Sequence, residues 1–227
     1  MNAAMIRKAF FRSIPVMSGY IVLGMGFGIL LRNAGYGVLW AFAMSLTIYA
    51  GSMQFVGVSL ISGAAGLLTT ALTTLMVNAR HLFYGISMIG RYRDAGKYKP
   101  YLIFALTDET YSLLCDGIVP AEDPNLYRFL VSLFDQIYWI LGSVLGSLLG
   151  TVLPFSTEGI EFSMTALFIA SLTDQWRKKG SRIPALAGLG CTALCLLVFG
   201  KEKFLIPSML LITTVLTLPR RRKGAEA

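Results

Sequence analysis

Tyr49–Gln54, YAGSMQ, stands in the middle of an otherwise apolar run that covers residues 37–62. From Asn33 to Ala79 the chain carries no Asp, Glu, Lys or Arg. A helix needs about 20 apolar residues to cross a hydrocarbon core of about 30 Å, so this run is long enough to cross. Its centre, however, combines Gly51 with the polar side chains of Tyr49, Ser52 and Gln54. That centre reads as a helix interrupted at membrane depth, which is tolerated where the backbone faces protein or a cavity.

Outward from this point the run is one of eight apolar segments: 14–31, 37–62, 66–89, 100–118, 129–153, 162–174, 183–199 and 204–218. The alternation of a membrane β-barrel is absent, so the expected spans are helices. Hydrophobic residues make up 55% of the 227 positions and charged residues 14%, and mean hydropathy is +0.65. A soluble domain is nearer a quarter charged. The expected architecture is one all-α polytopic membrane domain over residues 1–227, with six to eight transmembrane segments and no separate soluble domain. The net charge of +8 does not indicate nucleic acid. The basic residues sit in short clusters at the ends of apolar segments, where they set orientation and meet the anionic lipid of a bilayer. Residues 1–12 read as a basic leader before a retained first helix, since no A-x-A-like cleavage pattern follows. Cys115, Cys191 and Cys195 lie within apolar segments and the chain has a single His. Packing thiols fit that pattern better than a metal site, and no cofactor is expected.

An internal repeat is visible. YIVLGMGFGILL (20–31) aligns with YWILGSVLGSLL (138–149), identical at six of twelve positions, and AMSLTIYAGSMQ (43–54) aligns more weakly with SMTALFIASLTD (163–174). The shifts are 118 and 120 residues, which gives pseudo-repeat halves of about 14–118 and 129–218. The positive-inside rule wants 1–12, 90–99, 177–182 and 220–223 on the cytoplasmic side. Three segments separate 1–12 from 90–99 and three more separate 90–99 from 177–182, so one segment per half fails to cross if the rule holds. The matched pair 37–62 and 162–174 are the candidates. This reading gives six crossings, two broken or re-entrant segments and inverted halves. Eight crossings, with 90–99 outside, is the competing reading. Gly24 and Gly28, and Gly142, Gly146 and Gly150, form stripes that allow close helix approach.

Ionisable residues inside spans are costly and commonly functional. VNARHLFYG (77–85) places Arg80 beside His81, LTDET (106–110) holds Asp108 and Glu109, and FDQIYW (134–139) holds Asp135. On a helix Asn78, His81 and Gly85 share one face, with Arg80 and Tyr84 on a neighbouring one. Asp108, Tyr111 and Ser112 share a face, so Glu109 points elsewhere; Asp135 lies one turn from Tyr138 and Trp139. Arg80 with a carboxylate reads either as an ion pair stapling two helices or as a binding or relay group. His81, beside Arg80, is a plausible proton carrier. Gln54 reads either as a binding group or as a buried amide satisfied by a neighbour. Helix ends freed near Gly51 offer N–H donors to a carboxylate and C=O acceptors to an ammonium. No G-x-S-x-G, H-E-x-x-H or Walker A pattern occurs, so no enzyme is indicated. NAGYG (33–37) resembles a potassium filter only in its last three letters and sits in a loop beside Arg32.

YAGSMQFVGVSL (49–60), VNARHLFYGISM (77–88), LTDETYSL (106–113) and GIEFSMTALFIASLTDQ (159–175) resemble, in order and spacing, the AzlC family of branched-chain amino acid permeases, which includes the BrnFE-type large subunits and the YgaZ proteins. Glu161 stands where an Asp is expected, and the tail beyond Leu218 shows no motif. The resemblance implies a cytoplasmic-membrane exporter of valine, leucine and isoleucine, and of methionine in some members. It also implies a small membrane partner of the AzlD type. A zwitterion with an apolar side chain needs donors for its carboxylate, acceptors for its ammonium and a dry pocket. By position, Tyr49, Gly51, Ser52, Gln54, Asn78, Arg80, Asp108 and Glu109 are the substrate-binding candidates, and His81, Asp108, Glu109 and Asp135 the proton-coupling candidates. A non-transporting membrane scaffold and a channel or uniporter are the alternatives.

Overall fold

The computed structural model describes residues 3–115, 117, 119–120, 122–152, 169, 172–173, 176 and 182–224. Among the described residues every regular element is helical, and the chain divides into two compact units, Met1–Met164 and Thr165–Ala227. In the first unit α1 is Ala3–Asn33, α2 Val38–Thr47, α3 Gly51–Ser62 and α4 Leu67–Tyr92. After a 3₁₀ turn at Gly96–Tyr98 come α5 (Lys99–Phe104), α6 (Asp108–Leu114) and α7 (Pro124–Val152). The second unit holds α8 (Arg182–Lys203) and α9 (Leu205–Gly224), which pack on each other. The backbone of α8 leaves the helix at Gly200, where φ is +72°. Most of the second repeat segment, 163–174, and the motif GIEFSMTALFIASLTDQ lie outside the described residues.

Among the described residues α1 and α7 are long and apolar enough to cross a bilayer unaided, and α2 and α3 are shorter apolar helices. At about 1.5 Å per residue, α1 is about 46 Å long. Its first turns carry Arg7, Lys8 and Arg12, so the basic leader is part of the first helix and does not precede it. Large apolar side chains point away from the protein, with Leu39 81%, Leu67 89% and Ile86 67% exposed, as a lipid-facing surface requires.

The α1–α7 crossing is built on glycine. A Cβ on Gly24 would stand 2.9 Å from the Ser143 backbone nitrogen, and one on Gly142 would stand 2.7 Å from the Ile21 carbonyl oxygen. Gly28 meets the Ser143 and Ser147 backbone, and Gly146 meets that of Met25. A shift of 118 residues takes Gly28 to Gly146, and the reverse shift takes Ser143 to Met25. Further along, Phe10 packs on Phe134 with ring centroids 5.7 Å apart, and Gly150 meets Ile29 and Arg32. Residue numbers rise together, so α1 and α7 run in the same direction. The inverted arrangement expected from charge parity is therefore not the relation this pair adopts. That expectation counted 100–118 as one full crossing. Instead α5 and α6, 6 and 7 residues long, are separated by Ala105–Thr107 and together reach only about 20 Å at about 1.5 Å per residue.

The run 37–62 is interrupted, as read from YAGSMQ. In a straight helix Met44 and Gly57 would be about 20 Å apart. The Met44 methyl instead lies 3.9 Å from where a Gly57 Cβ would stand, so α2 and α3 do not continue as one straight helix. At one end of the unit, Met5 and Ala9 of α1, Met88 and Tyr92 of α4, Leu102, Leu114 and Val131 form a buried cluster that joins α1 to α4, α5, α6 and α7.

Gly28→Ala or Gly146→Ala must push two backbones apart, and overpacking of this kind costs about 1–3 kcal/mol or more. Gly19 has nothing within 4 Å of its Cβ position, and alanine there favours the helix. Thermal unfolding of purified protein in detergent should show a lower midpoint for the first two variants and an unchanged or higher one for Gly19→Ala. Equal midpoints for all three would contradict the close crossing.

Candidate functional site

The site begins at the end of α2. The amides of Ile48 and Tyr49 both donate to the Met44 carbonyl, at 2.9 and 3.3 Å. Tyr49 then takes φ +42°, a left-handed conformation that costs a non-glycine residue about 1–3 kcal/mol. Ala50 is the N-cap of α3, and the Gln54 amide donates to its carbonyl at 2.8 Å. The conformation is held from outside the segment. Tyr49 is buried against Phe104. Gly51 lies under Trp139, where a Cβ would come within 3.0 Å of the indole ring. Gln136 of α7 donates through Nε2 to the freed Leu46 carbonyl at 3.1 Å and accepts from the Tyr101 hydroxyl at 2.7 Å.

Gln54 is fully buried in this brace. Its Oε1 accepts from Trp139 Nε1 at 2.8 Å and its Nε2 donates to Ser45 Oγ at 3.4 Å. Ser45 Oγ in turn donates to Ser143 Oγ at 2.8 Å. The amide thus ties α2, α3 and α7 together. Of its two readings, the satisfied buried amide is the one with contacts behind it.

Beside the break is a cavity of about 550 Å³. Ile48, Tyr49 and Ala50 form one wall, α4 contributes Asn78, His81, Leu82, Gly85 and Ile89, and Lys99, Ile103 and Phe104 line its half-open side from α5. The face read from the spacing of Asn78, His81 and Gly85 is therefore the face that lines the cavity. Most of the lining is apolar. Asn78 Oδ1 is buried with no hydrogen-bond partner among the described residues. His81 Nδ1 lies 3.2 Å from the Asn78 carbonyl oxygen, and the ring meets Tyr84 edge-on at 5.9 Å.

Arg80 and Asp108 do not line this cavity. Arg80 Nη1 lies 2.8 Å from Asp108 Oδ2, and Arg80 Nη2 donates to Ser52 Oγ. One guanidinium thus connects α3, α4 and α6, and the two side chains are 23% and 22% exposed. Asp108 occupies the first turn of α6 behind the N-cap Thr107, whose Oγ1 accepts from the Thr110 amide at 3.3 Å. A carboxylate in a first helical turn is also favoured by the helix dipole. Glu109 points the other way and accepts from the Tyr20 hydroxyl at 2.8 Å. Tyr111, on the Asp108 side, stacks on Tyr84 at 4.7 Å. Asp135 is fully buried and accepts from Thr110 Oγ1 at 2.7 Å.

The residues singled out in the sequence thus fall into separate groups. Tyr49, Asn78 and His81 meet at the cavity. Ser52, Arg80 and Asp108 form the ion-pair cluster, Gly51 and Gln54 belong to the brace on α7, and Glu109 and Asp135 face α1 and α6. Lys99, Ile103, Phe104 and Gln136 were not anticipated. Pro100, which favours a helix start, is a local sign of α5, and a Thr ahead of an Asp-Glu pair is a sign of the α6 N-cap.

A family model described as AzlC protein matches residues 15–153, which carry the cavity, the break and the ion pair. The chain is 43% identical over 219 residues to the branched-chain amino acid transport protein AzlC of Bacillus subtilis (strain 168), covering 96% of this chain and 86% of that one. It is 43% identical over 208 residues to an uncharacterized membrane protein of Haemophilus influenzae, covering 91% and 85%. It is 28% identical over 189 residues to the inner membrane protein YgaZ of Escherichia coli (strain K12), covering 80% and 77%. No solved structure gives a significant match.

Proposed function

Since the chain belongs to the AzlC family, we propose that it is a multi-pass transporter subunit of the cytoplasmic membrane that exports branched-chain amino acids. Valine, leucine and isoleucine are the main substrates, with methionine as a further one. A proton gradient drives export, and a small AzlD-type membrane subunit is the partner. The observation that carries this reading is an apolar cavity with an unpartnered buried acceptor at a strained helix break. The branched side chain lies among Ile48, Leu82, Ile89, Ile103 and Phe104. The ammonium donates to Asn78 Oδ1, and the carboxylate pairs with Lys99, which lines the same cavity. Tyr49 holds the break open. Arg80 and Asp108 position α3, α4 and α6 around the cavity, and His81 lies close enough to a bound substrate to take part in proton coupling.

The membrane arrangement is part of the proposal. Three helices of the first unit, α1, α4 and α7, cross the bilayer, while α2–α3 and α5–α6 enter and return. This keeps residues 1–12 and 90–99 both cytoplasmic, as their basic residues require, and agrees with the shared direction of α1 and α7. In a cysteine-free background, Lys97→Cys should resist a membrane-impermeant thiol reagent in intact cells and react in inverted vesicles. Labelling in intact cells would mean that α2–α3 crosses fully.

Transport is tested by isoleucine efflux from cells loaded with an isoleucine dipeptide and co-expressing the small subunit. The chain should raise efflux, and reversing the pH gradient should slow it. A hydrogen bond to a charged group is worth about 1.5–3 kcal/mol, so Asn78→Leu should weaken apparent affinity about 10- to 100-fold at equal membrane level. Arg80→Ala and Asp108→Asn should lose folded protein together with flux. Absence of substrate-dependent efflux would leave the scaffold reading, and flux indifferent to pH would favour a uniporter.

A further inference from the structure

Tyr20, Thr107 and Thr110 form an unbroken line of hydroxyls between two carboxyl groups. Glu109 Oε2 lies 2.8 Å from the Tyr20 hydroxyl, and that hydroxyl lies 2.6 Å from Thr107 Oγ1. Thr107 Oγ1 lies 3.1 Å from Thr110 Oγ1, which lies 2.7 Å from Asp135 Oδ2. Every step is within hydrogen-bonding distance. Thr110 and Asp135 are fully buried, and Tyr20 and Thr107 are 4% and 7% exposed.

The protons on this line can be counted. Four links join five groups, and each link needs one proton between its two oxygens. The three hydroxyls bring one proton each. If both carboxyls were ionised, Tyr20 would donate to Glu109 and Thr110 to Asp135. Either Tyr20 and Thr107 would then set oxygen against oxygen at 2.6 Å with no proton between them, or, with Thr107 turned toward Tyr20, the 3.1 Å link between the two threonines would be the one without a proton. A fourth proton completes the line, and the carboxyls at its ends are the groups able to hold it.

We propose that Glu109 and Asp135 share a single proton through Tyr20, Thr107 and Thr110, which makes this line a two-state proton carrier. With the proton on Glu109, its hydroxyl donates to Tyr20, Tyr20 to Thr107, Thr107 to Thr110 and Thr110 to the Asp135 carboxylate. Transfer moves one proton across each of the four links. Asp135 then donates to Thr110, and the line runs in reverse to a Glu109 carboxylate. One O–H bond breaks at Glu109 and one forms at Asp135, and each hydroxyl gives up one proton while gaining another. Facing Glu109 are Asp108, its ion-pair partner Arg80, and the phenol of Tyr20. Facing Asp135 are the phenols of Tyr49, Tyr101 and Tyr138. The inference stands on hydrogen-bond geometry and deepens the coupled part of the proposed function by giving it a carrier.

Infrared spectroscopy of the full chain in lipid at neutral pH tests it. Glu109→Gln and Asp135→Asn each place a carboxamide N–H where the fourth proton is needed. Each should lose one protonated-carboxyl C=O band relative to wild type, although each keeps one of the two carboxyls. The wild-type minus Asp135→Asn difference should shift when glutamate carboxyls carry carbon-13 as well as when aspartate carboxyls do. If an amide variant yields no folded protein, Tyr20→Phe gives the same reading: it leaves two links served by two threonine protons, and the band should again be lost. No loss, or loss in only one of the amide variants, overturns the shared proton. The band needs no substrate, so its absence in wild type overturns the carrier and leaves the transport reading standing. Absent substrate flux with the expected band loss overturns transport and supports the carrier.

Discussion

A helix interrupted inside a bilayer leaves carbonyls and amides that lipid cannot satisfy, and here α7 supplies what the interruption at Tyr49–Ala50 lacks. Gln136 reaches the Leu46 carbonyl, Trp139 holds Gln54 while its ring covers Gly51, and Ser143 accepts from Ser45. Each contact is worth about 0.5–1.5 kcal/mol net. The larger effect is that no alternative partner exists in hydrocarbon. The positive φ at Tyr49 persists because its surroundings over-determine it. The cavity wall at Ile48–Ala50 depends in turn on that conformation.

The position of α7 rests on the glycine crossing with α1. Only bare backbone allows the approach at Gly28 and Gly146, and the same approach brings Tyr20 of α1 to the Thr107–Thr110 turn of α6 and its ring to 5.3 Å from that of Trp139. Small residues in one place thus fix polar groups in another. The charged residues separate by the same logic. Arg80 and Asp108 pair with each other in a partly exposed cluster with Ser52, whereas Asp135 is enclosed and meets hydroxyls.

Much of this was legible in the sequence where the signal is local. The interruption at YAGSMQ, the common face of Asn78, His81 and Gly85, and the divergence of Asp108 from Glu109 follow from helical periodicity and glycine placement. What periodicity does not carry is which face meets which partner. Gln54 has the same spacing whether it lines a cavity or meets Trp139. The break at Ala105–Thr107 was hidden because apolar residues run straight through it, although Thr107 before Asp108 and Glu109 has the form of an N-cap. Tyr20 gave no sign, since a tyrosine in an apolar helix more often packs than relays. The direction of α7 relative to α1 depends on how many segments between them cross: two, in the six-crossing reading, oppose the helices, and three, in the eight-crossing reading, align them.

Proposed transport requires a branched-chain amino acid to occupy the cavity beside the break. Thiol labelling at Ile103→Cys in a cysteine-free background reports that occupancy directly. Leucine should slow labelling at this position in a saturable way, with lysine and aspartate without effect, and should leave labelling at an outward-facing Leu39→Cys unchanged. Labelling at Ile103→Cys that is indifferent to leucine, or slowed equally by lysine, would contradict it.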